Sequence, residues 1–183
     1  MKYKKLGTTD LEVSLICLGT MTWGTQNSEK DAFEQMDYAV SRGINFFDTA
    51  PVYGFGHSEK LIGKALKEVR DKVVIATKCG LRWGKESLSS LRKDASRKSI
   101  LEEIDQSLRR LDTDRIDLYQ VHWPDVETSQ KETMETLLEI QNQGKIRYIG
   151  LSNYSAEQIK ESLQYGKIIS FQYANQEPPT RDV

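Results

Sequence analysis

Four side chains invite a chemical reading: Asp48, Tyr53, Lys78 and His122. The first two lie in the stretch DTAPVYGFGHSEKLIG, Asp48 to Gly63, where an acid ends an apolar run and a phenol follows five residues later. A phenol has a pKa of about 10 and is a weak acid at neutral pH. A nearby ammonium favours the phenolate by roughly one to three units. Lys78 can supply that charge, and Asp48 can pair with Lys78 and hold it. A phenol tuned in this way can donate a proton to a carbonyl oxygen as hydride arrives at the carbon. His122 can donate a hydrogen bond to the same oxygen and orient it.

The elements that must position these groups show a repeating rhythm. Short β-rich runs at 14–19, 45–50, 73–78, 116–122, 146–153 and 168–172 alternate with amphipathic helical runs. The first helix, 30–42, places Phe33, Met36, Ala39 and Val40 on one face, with Gly43 as C-cap. The second covers 58–69 with Ser58 as N-cap. A polar segment, 80–97, precedes a third helix whose apolar face is Ile100, Ile104, Leu108 and Leu111, with Ser99 and Glu102 as a capping box. The fourth runs from Ser129 to Gln143, opened by Ser129 with Glu132 and stopped by Gly144. The fifth opens on Ser155 with Gln158 and ends at Gly166. Strands that are apolar throughout belong to parallel sheets covered on both faces. The choice is between a doubly wound sheet and a (β/α)8 barrel, and periodicity alone does not make it. In both, sites collect at the C-terminal ends of the strands. Asp48, Lys78, His122, Ser152 with Asn153, and Gln172 close five consecutive strands. Wet strand ends account for any one of them. They account less well for an acid, a lysine and a histidine together, which are costly near a core unless paired.

Bulk composition narrows the classes. The chain of 183 residues suffices for one domain over 1–183, and 26 Lys+Arg against 27 Asp+Glu gives no basic excess that would suggest nucleic acid. Apolar residues at 38% and charged residues at 29% suit a soluble globular protein, and no run is long enough to span a membrane. No apolar segment follows the basic start, so Cys17 and Cys79 are expected to be reduced thiols in the cytoplasm. With His57 and His122 the only histidines and no C-x-x-C, no zinc site is expected. The stretch GFGHSE departs from G-x-G-x-x-G because position 59 is Glu, so its glycines serve a turn rather than a phosphate. His57 falls at a helix start, Cys79 is expected to be inert, and no G-x-S-x-G exists. Trp23, Trp83 and Trp123 all follow strand ends; they either wall an apolar substrate pocket or pack in the core or on the surface.

The set of motifs resembles the aldo-keto reductase family. It comprises LGTMTWG, INFFDTAPVYG, IATK, IDLYQVHWP and GKIRYIGLSN, and covers the chain to about Gln172. The resemblance implies a (β/α)8 barrel opened by a hairpin of Tyr3–Leu6 with Glu12–Ser14, and NADPH-dependent reduction of aldehydes and ketones to alcohols. It makes Tyr53 the proton donor, with Lys78 lowering its pKa, Asp48 holding Lys78 and His122 orienting a small-molecule carbonyl. Ser152, Asn153 and Gln172 would hydrogen-bond the nicotinamide carboxamide. Thr20 and Met21 would line its ribose and Asp48 would border the cofactor; if the strand-end tryptophans wall the pocket, Trp23 and Trp123 join His122 against the substrate. No metal is implied. Six strands rather than eight make the barrel incomplete, followed by an irregular tail, 173–183. The family's stacking aromatic residue and its segment for the 2′-phosphate have no counterpart in that tail. Two open parallel edges would invite self-association or a complementing partner. The alternative function is therefore a shortened, inactive barrel fragment that serves as a binding or structural subunit.

Overall fold

The computed structural model describes residues 1–173, so the 173–183 tail lies outside the described residues except for Tyr173. A hairpin of β1 (Tyr3–Lys5) and β2 (Glu12–Ser14) comes first. The chain continues through β3 (Cys17–Gly19), α1 (Glu29–Ser41), β4 (Phe46–Asp48), α2 (His57–Leu66) and β5 (Val74–Cys79). A short antiparallel pair follows, β6 (Leu81–Arg82) with β7 (Arg92–Lys93). Then come α3 (Arg97–Leu111), β8 (Ile116–Val121), α4 (Gln130–Asn142), β9 (Ile146–Ser152), α5 (Ala156–Ser162) and β10 (Ser170–Gln172).

Six strands form one parallel sheet in the order β10-β9-β8-β5-β4-β3. Each strand lies beside the one made before it, with no reversal of order. A doubly wound sheet requires a reversal, so the chain is wound in one direction as a barrel is. β5 and β8 are buried along their whole length, which explains why their sequences are mostly apolar and why the polar exceptions, Thr77, Lys78, Asp117 and Gln120, are each hydrogen-bonded. The helices cover the outside. On α3, Ile100, Ile104 and Leu111 are almost fully buried, each worth about 1.5–3 kcal/mol of burial.

Several boundaries differ from the sequence expectation, each for a local reason. Ser14 belongs to the hairpin rather than to the first parallel strand, because its hydroxyl turns the chain by donating to the Ile16 carbonyl at 2.6 Å. Ser58 does not cap α2. Gly56, at φ 91, is the N-cap, and the Ser58 hydroxyl is buried against Thr20 Oγ1 at 2.7 Å and Thr49 Oγ1 at 3.0 Å. α2 also ends at Leu66 and continues as a 3-10 helix over Lys67–Lys72. α3 starts three residues earlier than the Ser99 box suggested: Ser96 accepts from Ser99 N, while Ser99 donates to Glu103 at 3.0 Å. Ser129 caps α4, but the Glu132 carboxylate accepts from Arg97 N at 2.9 Å instead of closing the box. The Ser155–Gln158 box closes in full, and α5 stops at Ser162, short of Gly166.

The far end of the sheet from the strand C-termini is held by the hairpin and by one buried acid. Leu11 and Val13 pack on Val74, with Phe46 and Tyr148 alongside. Asp117 is 1% exposed and accepts from Ile75 N at 3.0 Å, Arg70 Nη1 at 2.9 Å and Arg147 Nη1 at 3.1 Å. Arg147 also reaches Asp10 at 2.8 Å, tying the hairpin to β9. Asp117→Asn keeps the shape but removes the charge that two guanidinium groups share. It is expected to cost about 1.5–3 kcal/mol in urea unfolding; a change below about 0.5 kcal/mol would show that the arginines are satisfied elsewhere.

Candidate active site

The C-terminal rim gathers the expected tetrad into one cluster. β4 delivers Asp48 at its last residue, β5 delivers Lys78 at its last but one, and β8 delivers His122 one residue past its end. Lys78 is 1% exposed, yet its ammonium is fully engaged. It donates to Asp48 Oδ2 at 2.7 Å, to the Thr49 carbonyl at 2.9 Å and to the Tyr53 hydroxyl at 3.5 Å. A buried charge persists only when it is paired in this way. The Tyr53 ring stands edge-on to His122, with centroids 5.9 Å apart and planes at 89°. Burial, with the Lys78 charge adding to it, pushes His122 down to about 3. At neutral pH its imidazole is therefore uncharged and can donate a hydrogen bond without carrying a proton in excess.

Tyr53 reaches the cluster on a loop that turns through left-handed residues. Gly54, Phe55 and Gly56 all have positive φ, at 57°, 52° and 91°. A Cβ on Gly54 would lie 3.2 Å from His57 Cβ and 3.3 Å from the Trp23 carbonyl oxygen, a tight fit that adds to the preference for glycine at this φ. The buried hydroxyls of Thr20, Thr49 and Ser58 pin the same loop to β3 and β4. The glycines thus serve turn geometry, as the sequence indicated. His57 is the exposed first residue of α2. Burial drives the Cys79 thiol well above its ordinary range, which leaves it protonated and unreactive.

Two further residues support the tetrad. The Gln120 amide donates to Asp48 Oδ1 at 3.3 Å, and Gly150 makes room for it: a Cβ there would sit 2.9 Å from Gln120 Cγ. Lys78 pairs in register with Gln120, and Gln120 with Gly150. This places them in one layer across three strands. The only trace in the sequence is an amide inside the apolar run IDLYQVH, and its partner is set by register between strands. The Thr49 carbonyl, which holds the Lys78 ammonium, leaves no sequence trace at all.

The other expected residues are placed unevenly. Asn153 adopts φ 61 and donates to the His122 carbonyl at 2.9 Å and to Ser152 Oγ at 3.0 Å, while its N–H meets the Gln172 carbonyl at 3.0 Å. Gln172 approaches Asp48 Oδ2 at 3.5 Å. Met21 is 66% exposed in the loop after β3, and Trp123 is 41% exposed with Lys93 Nζ 5.3 Å from its ring centre. The Thr20 hydroxyl is already bound to Ser58 and to the Asp48 carbonyl. Trp23 corrects the expectation that it walls the pocket. It is 1% exposed and donates from Nε1 to Gln35 at 3.0 Å, because the turn after β3 folds its ring into the core against α1. No group of three or more candidate metal ligands occurs among the described residues, and no described helix is long and apolar enough to cross a membrane.

A sheet wound in sequence order, with this cluster at its C-terminal rim, defines the class. The chain belongs to the aldo/keto reductase family, whose sequence model matches residues 15–177. It is 46% identical over 166 residues to Aldo-keto reductase YhdN of Bacillus subtilis (strain 168), covering 87% of this chain and 49% of that protein. It is 40% identical over 185 residues to the NADH-specific methylglyoxal reductase of Escherichia coli (strain K12), covering 92% of this chain and 57% of that protein. Among solved structures, aldo-keto reductase AKR11C1 from Bacillus halodurans in its holo form superposes with a TM-score of 0.87 at 40% identity, over 94% of this chain and 57% of that one. The chain spans about half the length of the curated relatives it matches. Its six-stranded parallel sheet with covering helices is accordingly an incomplete (β/α)8 barrel.

Proposed function

We propose that the protein reduces an aldehyde or ketone to an alcohol with a nicotinamide cofactor, Tyr53 giving the proton. The observation that carries this reading is the Lys78 ammonium, held by Asp48 at 2.7 Å and lying 3.5 Å from the Tyr53 hydroxyl. The Tyr53 hydroxyl donates its proton to the carbonyl oxygen, and the ammonium stabilises the negative charge left on the phenol oxygen. Neutral His122 donates a hydrogen bond to the same carbonyl oxygen and fixes its direction. Gln120 and the Thr49 carbonyl keep Asp48 and Lys78 from rotating away.

The rim residues fit a nicotinamide. A primary carboxamide needs both donors and acceptors. Ser152 supplies a hydroxyl, Gln172 an amide with only long contacts of 3.5 Å to Asp48 and Gln120, and Asn153 its remaining oxygen. When bound, the cofactor supplies the hydride. Met21 and the Thr20 backbone border the ribose, and Trp123 borders the substrate. NADPH is the cofactor the family resemblance favours. The relative named for NADH specificity makes NADH the arm to compare it with.

A second reading rests on the sheet edges. Among the described residues, β3 and β10 each pair on one side only, so the chain would work with a second copy or a complementing partner. Fluorescence titration with NADPH and NADH, joined to light scattering for oligomeric state, separates the readings. Saturable binding of either cofactor by a monomer is expected. Failure of both to bind a self-associated species would sink the reductase reading and favour the second.

A further inference from the structure

A groove runs beside the mouth, between the loop that carries Tyr53 and helix α3. Two adjoining hollows of about 190 Å³ and about 400 Å³ share Gln106 and Arg110 and make it continuous. Glu103, Gln106 and Arg110 fall three and four residues apart, so one face of α3 forms the floor.

Three features of this groove lie outside the reductase chemistry. The first is charge. Arg110 is taken by buried Glu59 at 2.6 Å and Arg82 by Glu102 at 2.9 Å. Lys60 and Arg109 line the outer hollow, are exposed and make no ion pair among the described residues, which leaves two cations on one hollow. The second is an aromatic wall. Phe55 is held at φ 52, a conformation that costs a non-glycine residue of order 1–3 kcal/mol. Its ring lies 5.7 Å from Trp83, tilted by 59°. Phe55 lines the outer hollow and Trp83 the inner one. The third is an unmet polar atom. Glu103 uses Oε1 to accept from Gly80 N at 3.1 Å and Ser99 Oγ at 3.0 Å, whereas its buried Oε2 has no partner. Glu103 lines the inner hollow. Burial pushes this acid up to about 8, so at neutral pH it is protonated and offers an O–H as well as an acceptor.

We propose that this groove binds a small aromatic oxyanion, an aryl phosphate or aryl carboxylate. Lys60 and Arg109 hold its charged end and the Phe55–Trp83 wall packs on its ring. A cation would be repelled by the two lysine and arginine charges. A purely apolar ligand would cover the two charges with nothing to pair them. None of Asp48, Tyr53, Lys78 and His122 lines either hollow.

Phenyl phosphate, titrated calorimetrically at low salt, tests the proposal, with inorganic phosphate as the control that lacks a ring. Phenyl phosphate is expected to saturate at one per chain and to bind at least about tenfold more tightly than phosphate. The double variant Lys60→Ala, Arg109→Ala changes only exposed side chains, and circular dichroism should be unaltered. It is expected to weaken phenyl phosphate at least about tenfold, close to a Coulomb effect of this size at a wet surface. Trp83→Ala should remove the preference for the aryl ligand, and Trp83→Phe should restore it. Absence of saturable binding, equal affinity for phosphate and phenyl phosphate, or full affinity in the double variant would each overturn the proposal. Because the readout is binding, loss of this groove would leave the reductase reading untouched.

Discussion

Tyr53→Phe is expected to slow carbonyl-dependent oxidation of the reduced nicotinamide cofactor by about 10²–10⁴-fold. The substitution deletes one oxygen and keeps the ring. The edge-on contact with His122 at 5.9 Å and the Lys78 ammonium 5.1 Å from the ring centre both survive. What is lost is the proton source 3.5 Å from the ammonium. Each tenfold loss corresponds to about 1.4 kcal/mol of barrier, so the effect amounts to about 3–5 kcal/mol, placed on the chemical step. Cofactor affinity should stay at the wild-type value, since none of Ser152, Asn153 and Gln172 bonds to Tyr53. Steady-state rates with cofactor binding measured alongside decide the matter. An unchanged rate would remove Tyr53 from the mechanism, and a parallel loss of affinity would assign it a structural role.

Lys78→Met should be the more damaging change to the fold. Met fills the volume of the stem, but it leaves Asp48 and the Thr49 carbonyl without the ammonium that each meets within 3 Å. The side chains of Lys78 and Asp48 are only 2% and 13% exposed, so water does not replace the partner. Breaking one half of such a pair costs about 3–5 kcal/mol. Urea unfolding should show that loss in the midpoint with little change in slope. Adding Asp48→Asn should recover much of it, because the uncompensated charge is then gone. Neither variant is expected to reduce a carbonyl. A stability loss below about 1 kcal/mol in Lys78→Met would mean that Asp48 takes up another partner, with the Gln120 amide at 3.3 Å the nearest.

Much of this was legible from order along the chain. The runs at β5 and β8 are buried from end to end, and a strand covered on both faces is written mostly in apolar residues, with polar ones only where a partner meets them. The tetrad was legible for a related reason. A polar group at the end of such a run falls at the rim of the sheet, so Asp48, Lys78 and His122 mark a site in the sequence itself. The helix starts are less legible. Ser58 and Ser99 have the right residue type for caps, but each hydroxyl is drawn to a buried partner from elsewhere, Thr20 in one case and Glu103 in the other. A cap is a local preference worth about 1 kcal/mol, and a buried hydroxyl left unpaired costs as much or more.

The sequence by itself determined the order of the main strands and helices, that the sheet is parallel, and which ionisable groups stand at its C-terminal rim. It did so because burial and chain periodicity are one-dimensional signals. Only the tertiary structure decided that the strands are wound in one direction, since β-order is a choice of neighbours and not of residues. Only it buried Trp23 against α1, aligned Gln120 with Lys78 and Gly150, and laid the Phe55–Trp83 wall beside Lys60 and Arg109. Each of these depends on register between segments far apart in the chain, which a linear pattern does not carry.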